Sequence, residues 1–222
     1  GRTTISYNGE MWNYKQVRAE LEASGDRFVT SGDTEVMAAV LDRFGADGLR
    51  RIDGMFAIAW TCGDGNLWLA RDRFGEVPLH WTPRGAASEL KILAACGLGQ
   101  EARYVPPGGV VTMGRLGEPV EALWHANEAP APSGLGRDEA AAAVRAALTD
   151  GVRNRTMADV PVCTLLSGGL DSTVVAKVAA QLMPGLVAYV AVMDERSSDT
   201  RMARLAAEAV GCELREVRVQ PP

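Results

Sequence analysis

Residues 160 to 176 read VPVCTLLSGGLDSTVVA, an apolar run that leads through a glycine-rich turn into a second apolar segment. Residues 160–166 predict a buried strand, and residues 172–182 predict a helix directly after the turn. Backbone N–H groups at the start of a helix, beside two glycines without side chains, favour phosphate oxygens. The stretch therefore predicts a phosphate-binding turn between a strand and a helix.

Asp171 stands within this turn, although its carboxylate would repel a bound phosphate. A Mg²⁺ ion between the carboxylate and the phosphate oxygens explains an acid at that position. The turn has neither the lysine of a GxxxxGK[ST] loop nor a GxGxxG pattern, so these two nucleotide-binding families do not fit. A simpler interpretation stays open, in which SGG is an ordinary strand-to-helix turn and Asp171 caps the helix.

Strand and helix patterns continue to alternate after the turn. Residues 186–193 and 213–219 predict strands, and residues 200–210 predict the helix between them. An Ala-rich helix over residues 138–155, with acids at its start, precedes the whole run. This β-α-β-α-β order predicts an α/β domain with a doubly wound parallel sheet.

The amino-terminal half has a different pattern. Amphipathic helices are predicted over residues 13–25 and from a cap at Ser31 or Asp33 to the residue before Gly45. Strands 55–62 and 67–72 are predicted to form a hairpin around a GDGN turn. This half is therefore predicted to be α+β. A Pro- and Gly-rich segment from 105 to 132 separates the two patterns and predicts two domains, 1–133 and 134–222.

Composition argues against several classes of function. The chain has 23 Lys and Arg residues against 28 Asp and Glu, a net charge of −5, which speaks against a nucleic-acid partner. No apolar run approaches the roughly 20 residues that span a bilayer, and no secretion signal is recognised, so no membrane partner is expected. The four cysteines do not have zinc-site spacing and are interpreted as reduced thiols of a cytoplasmic protein.

The stretch 158–176 resembles the asparagine synthetase group of the ATP-pyrophosphatase superfamily. Upstream, the segments YNGEMWNY, SGDTEV, IDGMFAIAW, ARDRFG and ASELKIL resemble, in the same order, a class II glutamine amidotransferase domain. That domain precedes the pyrophosphatase domain in asparagine synthetase B-like proteins. The resemblance implies an Ntn-type α+β sandwich followed by an α/β domain of the adenine nucleotide α-hydrolase-like type.

For the carboxyl-terminal domain, the resemblance implies that ATP and Mg²⁺ bind. The residues that it assigns to pyrophosphate are Ser167, Gly168, Gly169, Asp171 and Ser172. Asp171 would also be the metal ligand. Leu166 and Val192 would line the adenine pocket, although plain strand core is an equal alternative for both.

For the amino-terminal domain, the resemblance implies a glutaminase site. Asn8 and Gly9 would supply the oxyanion hole, through a side-chain amide and a backbone N–H. Glu10 and Asp33 would hold the α-amino group of glutamine. The ARDRFG segment is predicted to form an internal ion-pair network of Arg71, Asp72 and Arg73.

The activity that the resemblance implies is a glutamine-dependent, ATP-consuming amide ligase. Glutamine hydrolysis would supply ammonia to a β-aspartyl-AMP-type acyl-adenylate, with release of AMP and pyrophosphate. The partners are then glutamine, ATP and a carboxylic acid, with aspartate as the expected acceptor; dimers are common in the family. Three alternatives stay open: a relative with another acceptor (β-lactam synthetase or lasso-peptide cyclase type), an ammonia-only ligase, and an inactive nucleotide-binding homologue.

The sequence departs from the family at the glutaminase nucleophile. In the family this is an amino-terminal cysteine, whereas this sequence begins with Gly1. The predicted parallel sheet also stops after three strands, which would leave a bare edge. We therefore expect that segments at both ends, and short ones near residues 1–4, 83–87 and 95–103, are missing from the sequence.

Overall fold

The computed structural model describes residues 3–63, 65–114, 119–126, 134–193 and 198–220. The chain divides into two compact units, residues 1–131 and 132–222. The predicted boundary after residue 133 falls at the end of segment 127–133, which lies outside the described residues. The first unit has two sheets and the second has one, each unit has its own hydrophobic core, and each is described by itself.

The first unit is an α+β structure, as its pattern predicts. Its elements are β1 Thr4–Met11, α1 Tyr14–Ala23, α2 Asp33–Phe44, β2 Gly54–Thr61, β3 Leu67–Arg71, β4 His80–Thr82, β5 Gly85–Ala87, α3 Leu90–Ala95, β6 Arg103–Tyr104, β7 Gly109–Met113 and β8 Val120–Leu123. Strands β1-β2-β3-β7-β8 form one antiparallel sheet, and β5-β4-β6 form a smaller one. The predicted hairpin corresponds to β2 and β3, and residue 64 of its turn lies outside the described residues.

The five-stranded sheet lies between two layers. The helices α1 and α2 cover one face, where Leu21 and Val40 belong to the larger core. The small sheet covers the other face, where Trp81 packs with Ala57 and Leu69. Because side chains alternate along a strand, odd-numbered residues of β1 face the helices and even-numbered residues face the opposite side.

The second unit has the predicted β-α-β-α-β order. Its elements are α4 Arg137–Asn154, β9 Cys163–Leu165, α5 Leu170–Leu182, β10 Val187–Val192, α6 Ser198–Val210 and β11 Glu213–Arg218. The strands are parallel, with β10 between β9 and β11. Strand β9 is shorter than predicted because Pro161 has no N–H for a ladder hydrogen bond. Helices α5 and α6 each begin two residues earlier than predicted.

The described strands do not confirm the doubly wound arrangement that the sequence predicts. Helices α5 and α6 share one hydrophobic cluster, with Ala176 from α5 and Ala206 from α6 against Ala188 of the central strand. Both helices therefore lie on the same face, and Leu165 on β9 is 78% exposed. A strand order that advances in one direction through right-handed crossovers puts every helix on one side. A second helical layer requires a reversal of strand order, and the three described strands of this unit contain none, so the doubly wound arrangement stays a prediction.

Two connections near which the sequence predicts missing segments lie in the first unit. Residues 82–85 form a tight turn between β4 and β5, where the Arg84 N–H donates to Thr82 Oγ1 at 3.1 Å. Residues 95–103 pass through the short 3-10 helix Gly99–Glu101. The chain is continuous at both places, and the expectation of missing segments stays a prediction.

In the described part of the chain, no helix is long and apolar enough to cross a membrane.

Candidate functional site

The glycine-rich turn of the second unit connects β9 to α5. Gly168 has φ +79°, a conformation that residues with a Cβ rarely adopt. A Cβ at this residue would lie 2.4 Å from the carbonyl carbon of Met202 in α6. Gly169 has φ −71° and ψ 161°, and a Cβ there would meet only Ser167 Oγ, at 3.4 Å. The fold thus requires a glycine at 168, whereas at 169 the missing side chain leaves the start of α5 open.

Three hydroxyl groups lie close together at the start of α5. The hydroxyl oxygens of Ser167 and Ser172 lie 3.0 Å apart. The Thr173 hydroxyl donates to the Gly169 carbonyl at 2.7 Å. Gly169 is the N-cap residue and makes no side-chain cap for the first-turn N–H groups of α5. Uncapped N–H groups with hydroxyls beside them are suited to an anionic ligand such as phosphate.

Asp171 lies in the first turn of α5 and is exposed. The described residues contain no group of three or more His, Cys, Asp or Glu side chains that could hold a metal ion. A metal ion at Asp171 would therefore take most of its ligands from phosphate oxygens and water. Mg²⁺ is commonly held in this way, by one or two carboxylates plus substrate phosphates. The residues fit Mg²⁺ together with a bound nucleotide.

The two residues that were predicted to line an adenine pocket are buried. Leu166 is 1% exposed and belongs to the core cluster with Ala188, and Val192 is 4% exposed and clusters with Ala203. Their side chains pack in the core between the sheet and the helices. A bound base would meet the backbone at these two positions rather than the side chains.

In the first unit, Asp33 joins the start of α2 to β1. Its Oδ2 accepts hydrogen bonds from the Met11 N–H at 2.9 Å and from the Tyr7 hydroxyl at 3.1 Å. Burial and the negative charges of Asp33 and Glu10 raise the pKa of the Tyr7 hydroxyl above its ordinary value. Asp33 therefore links the start of α2 to β1 through one backbone N–H and one side-chain hydroxyl.

Asn8 and Gly9 lie next to each other on β1. Asn8 Nδ2 donates to Ser88 Oγ at 3.1 Å. Asn8 and Ser88 both line a cleft of about 100 Å³. A Cβ on Gly9 would lie 2.1 Å from the Met55 carbonyl oxygen of the paired strand β2. The structure thus places Asn8 at a cleft and gives a packing reason for glycine at position 9.

Two families of known domains match this chain. The family model of the glutamine amidotransferase domain matches residues 1–104, and the model of asparagine synthase matches residues 143–222. The chain belongs to the asparagine synthetase family. The two domains occur in the order that the sequence motifs predict.

Curated relatives carry the family name. Asparagine synthetase [glutamine-hydrolyzing] 3 of Bacillus subtilis (strain 168) is 30% identical over 208 residues, with 80% of this chain and 34% of the relative covered. Asparagine synthetase [glutamine-hydrolyzing] 1 of the same organism is 31% identical over 240 residues, with 94% and 38% covered. This chain therefore spans about a third of the length of the asparagine synthetases that it matches.

The alignment with synthetase 1 also contains residues that this chain lacks. It runs over 240 positions, whereas 94% of the 222 residues of this chain amounts to about 209, so about 30 positions have no counterpart here. Among solved structures, a glutamine phosphoribosylpyrophosphate amidotransferase from B. subtilis in complex with ADP and GMP covers 99% of this chain and 49% of its own, with 19% identity and a TM-score of 0.49. That similarity is too low to assign a fold.

Glu35, within the SGDTEV segment, shapes the backbone before Asp33. Its carboxylate accepts hydrogen bonds from the Val29 N–H at 3.0 Å, and from the N–H and the hydroxyl of Thr30, each at 2.7 Å. These hydrogen bonds lower the pKa of Glu35 below its ordinary value. A glutamate at the third position of a helix often reaches back to N–H groups before the helix, so this role of Glu35 is visible in the sequence.

The ARDRFG segment of this asparagine synthetase family member forms a buried network of hydrogen bonds between charged side chains and the backbone. Arg71 donates to the carbonyls of Gly75, Val77 and Val105, and Arg73 donates to the Ile52 carbonyl. The carboxylate of buried Asp72 accepts at 3.0–3.2 Å from the N–H groups of Phe56, Phe74, Glu76 and Val77. The hydrogen bonds of these three side chains fix the conformation of the turn after β3, so their role is structural.

Proposed function

We propose that this chain supplies the glutamine-binding and ATP-binding parts of a glutamine-dependent amide ligase of the asparagine synthetase type. The observation that carries the proposal is the order of the two matched domains, 1–104 and 143–222, in one chain. A glutaminase domain releases ammonia, and a domain that activates a carboxylic acid consumes it, so the pair makes an amide. The relatives that cover most of this chain are named for glutamine hydrolysis and asparagine synthesis.

Glutamine would bind in the first unit. Asp33 and Glu10 would hold its α-ammonium group through charge-assisted hydrogen bonds. The Asn8 side-chain amide and the Gly9 N–H would stabilise the oxyanion that forms on the carboxamide carbon. The contact between Asn8 and Ser88 supports this assignment, because it takes one N–H of the amide and orients the other.

The proposal gives these residues binding and charge-stabilising roles and no nucleophilic role. Class II amidotransferases use an amino-terminal cysteine, and the cysteines of this chain are at positions 62, 96, 163 and 212. Cys62 packs against the helix-side core, where its thiol contacts the Leu41 carbonyl at 3.9 Å. It therefore lies on the opposite side of the sheet from the face that carries Asn8.

ATP would bind in the second unit, with its β- and γ-phosphates at the turn 167–172. A carboxylate oxygen of the acceptor, aspartate in this proposal, would bond to the α-phosphorus as pyrophosphate leaves, giving a β-aspartyl-AMP-type acyl-adenylate. Ammonia would then attack the acyl carbon, and AMP would leave. The hydroxyls of Ser167 and Ser172 and the first N–H groups of α5 would stabilise the charge that develops on pyrophosphate. Mg²⁺ held by Asp171 would neutralise part of the phosphate charge.

Exchange of labelled pyrophosphate into ATP tests the activation step without glutamine hydrolysis. We expect exchange that depends on both Mg²⁺ and aspartate. Asp171→Asn should lower the exchange rate at least about a hundredfold, which corresponds to the loss of about 3 kcal/mol of the charge stabilisation that a bound metal ion supplies. Asp138→Asn is the matched control, because Asp138 is likewise an acid in the first turn of its helix. Equal loss in the two variants would contradict the role of Asp171.

Pyrophosphate exchange, amide formation and ATP binding together separate the alternatives. Exchange that depends on another acid would indicate a relative with a different acceptor. Amide formation with ammonium but not with glutamine would indicate an ammonia-only ligase. ATP binding without exchange on any acid tested would overturn the ligase proposal and favour an inactive nucleotide-binding homologue.

A further inference from the structure

Tyr7 orients the Asp33 carboxylate in the first unit. Its hydroxyl donates to Asp33 Oδ2 at 3.1 Å, and the Met11 N–H donates to the same oxygen at 2.9 Å. The other oxygen, Oδ1, is 3.4 Å from the hydroxyl of the neighbouring residue Thr34. Two donors from β1 thus hold one carboxylate oxygen, while the other has a long contact that a stronger donor could replace.

The environment of Tyr7 suits it to be a constant donor. Burial and the charges of Asp33 and Glu10 raise the pKa of the Tyr7 hydroxyl, so the group keeps its proton at physiological pH. The ring packs against the helix-side core together with Ile5 and Phe28, which restricts its orientation. A hydroxyl that stays protonated on a packed ring can fix the orientation of the carboxylate that it contacts.

We infer that Tyr7 is a positioning residue, which directs Asp33 Oδ1 toward the α-ammonium group of a free amino acid. The inference rests on the proposed glutamine site and adds a residue that sets its specificity. Because Tyr7 acts on the ligand through Asp33, its effect is confined to ligands that carry the ammonium group. A ligand without that group makes no charge-assisted hydrogen bond to Asp33 and should not depend on Tyr7.

Isothermal titration with two ligands tests this role. One ligand is L-glutamine, and the other is glutaramate, which is glutamine without its α-amino group. We expect the chain to bind glutamine more tightly, and we expect Tyr7→Phe to reduce this preference about tenfold, the effect of one hydrogen bond to a charged group. Asp33→Asn should reduce the preference as well. Tyr14→Phe is the control, because Tyr14 packs against the same core.

The outcomes separate the inference from the proposed function. If Tyr7→Phe leaves the preference for glutamine over glutaramate unchanged, whether or not it weakens the binding of both ligands, Tyr7 only joins the strand to the helix. The inference is then overturned. If the unaltered chain binds neither ligand, the proposed glutamine site is overturned and the inference falls with it. Loss of the preference without loss of glutaramate binding supports both.

A measurement on the unaltered chain covers the case in which Tyr7→Phe does not fold. The chain has four tyrosines, and ¹³C labels at their Cζ atoms report on each hydroxyl. Tyr→Phe changes at positions 14, 104 and 189 identify the Tyr7 signal by elimination. We expect glutamine to shift this signal and glutaramate to leave it in place, and equal shifts with both ligands would overturn the inference.

Discussion

Replacing Gly168 with alanine should destabilise the second unit selectively. The residue has φ +79°, which costs a residue with a Cβ about 1–2 kcal/mol. The new methyl group would lie 2.4 Å from the Met202 carbonyl carbon and 2.5 Å from the Ala203 N, both in the backbone of α6. Because a helix backbone cannot rotate away as a side chain can, overpacking adds about 1–3 kcal/mol. The two effects together give about 2–5 kcal/mol.

Gly169→Ala is the matched control, since it adds the same methyl group one residue later. Its backbone angles are ordinary, and the added Cβ would meet only Ser167 Oγ, at 3.4 Å. The substitution also restricts the unfolded chain, so the unfolding free energy should change by less than about 1 kcal/mol. The pair therefore compares one alanine that the fold excludes with one that it accepts.

The position of the tryptophans makes the assay specific for each unit. All five are at positions 12, 60, 68, 81 and 124, in the first unit, so their fluorescence reports unfolding of that unit only. Hydrogen exchange of β10 and α5 reports on the second unit. For Gly168→Ala we expect the amide protection of β10 and α5 to fall by the equivalent of 2–5 kcal/mol, about 30- to 5,000-fold, with an unchanged fluorescence transition. Protection within about 0.5 kcal/mol of that in Gly169→Ala would refute the argument.

Three further predictions concern the first unit. Gly9→Ala should destabilise it by about 3 kcal/mol through the 2.1 Å approach to β2, measured by urea unfolding; Gly85→Ala, which has open space at its Cβ, is the control, and similar midpoints for the two would contradict the contact. Asp72→Asn should cost about 2–4 kcal/mol, because an amide cannot accept all four backbone N–H groups; a melting temperature equal to that of exposed Asp47→Asn would count against this. Because folding lowers the pKa of Glu35, its stabilisation is complete above the ordinary glutamate pKa and is lost as the pH falls through the lowered value. Glu35→Gln should therefore be less stable than the unaltered chain at neutral pH, with a gap that closes in acid, and a gap independent of pH would exclude this cause.

Short-range patterns predicted most elements of the second unit correctly, and the errors have local causes. Strand β9 is short because Pro161 interrupts the apolar run, a signal that the residues themselves contain. Helix α5 starts at Leu170 because Gly169, with extended backbone angles, serves as the N-cap. The doubly wound arrangement stays a prediction for a different reason, since the order in which strands pair is not a property of any single segment.

The site residues likewise form two groups, those whose contacts the sequence predicted and those whose contacts it did not. The clustering of Ser167, Gly168, Gly169 and Ser172 was predictable because all four belong to one turn of a few residues. The partners Tyr7 and Ser88 were not predicted, because each contact joins residues far apart in sequence: Tyr7 is 26 residues from Asp33, and Ser88 is 80 residues from Asn8. No local pattern shows which distant hydroxyl will reach a given carboxylate or amide.

The sequence by itself determined the two-part organisation, the helix that starts at the SGGLDS turn and the family to which its motifs belong. These features depend on dihedral preferences, apolar periodicity and motif order, all of which act within short segments. Only the tertiary structure decided that Gly168 lies against the backbone of α6, that the charges of Arg71 and Asp72 are satisfied by backbone groups, and that Tyr7 holds Asp33. Such contacts form only after distant segments have packed, because packing and strand register bring together residues that no local preference connects.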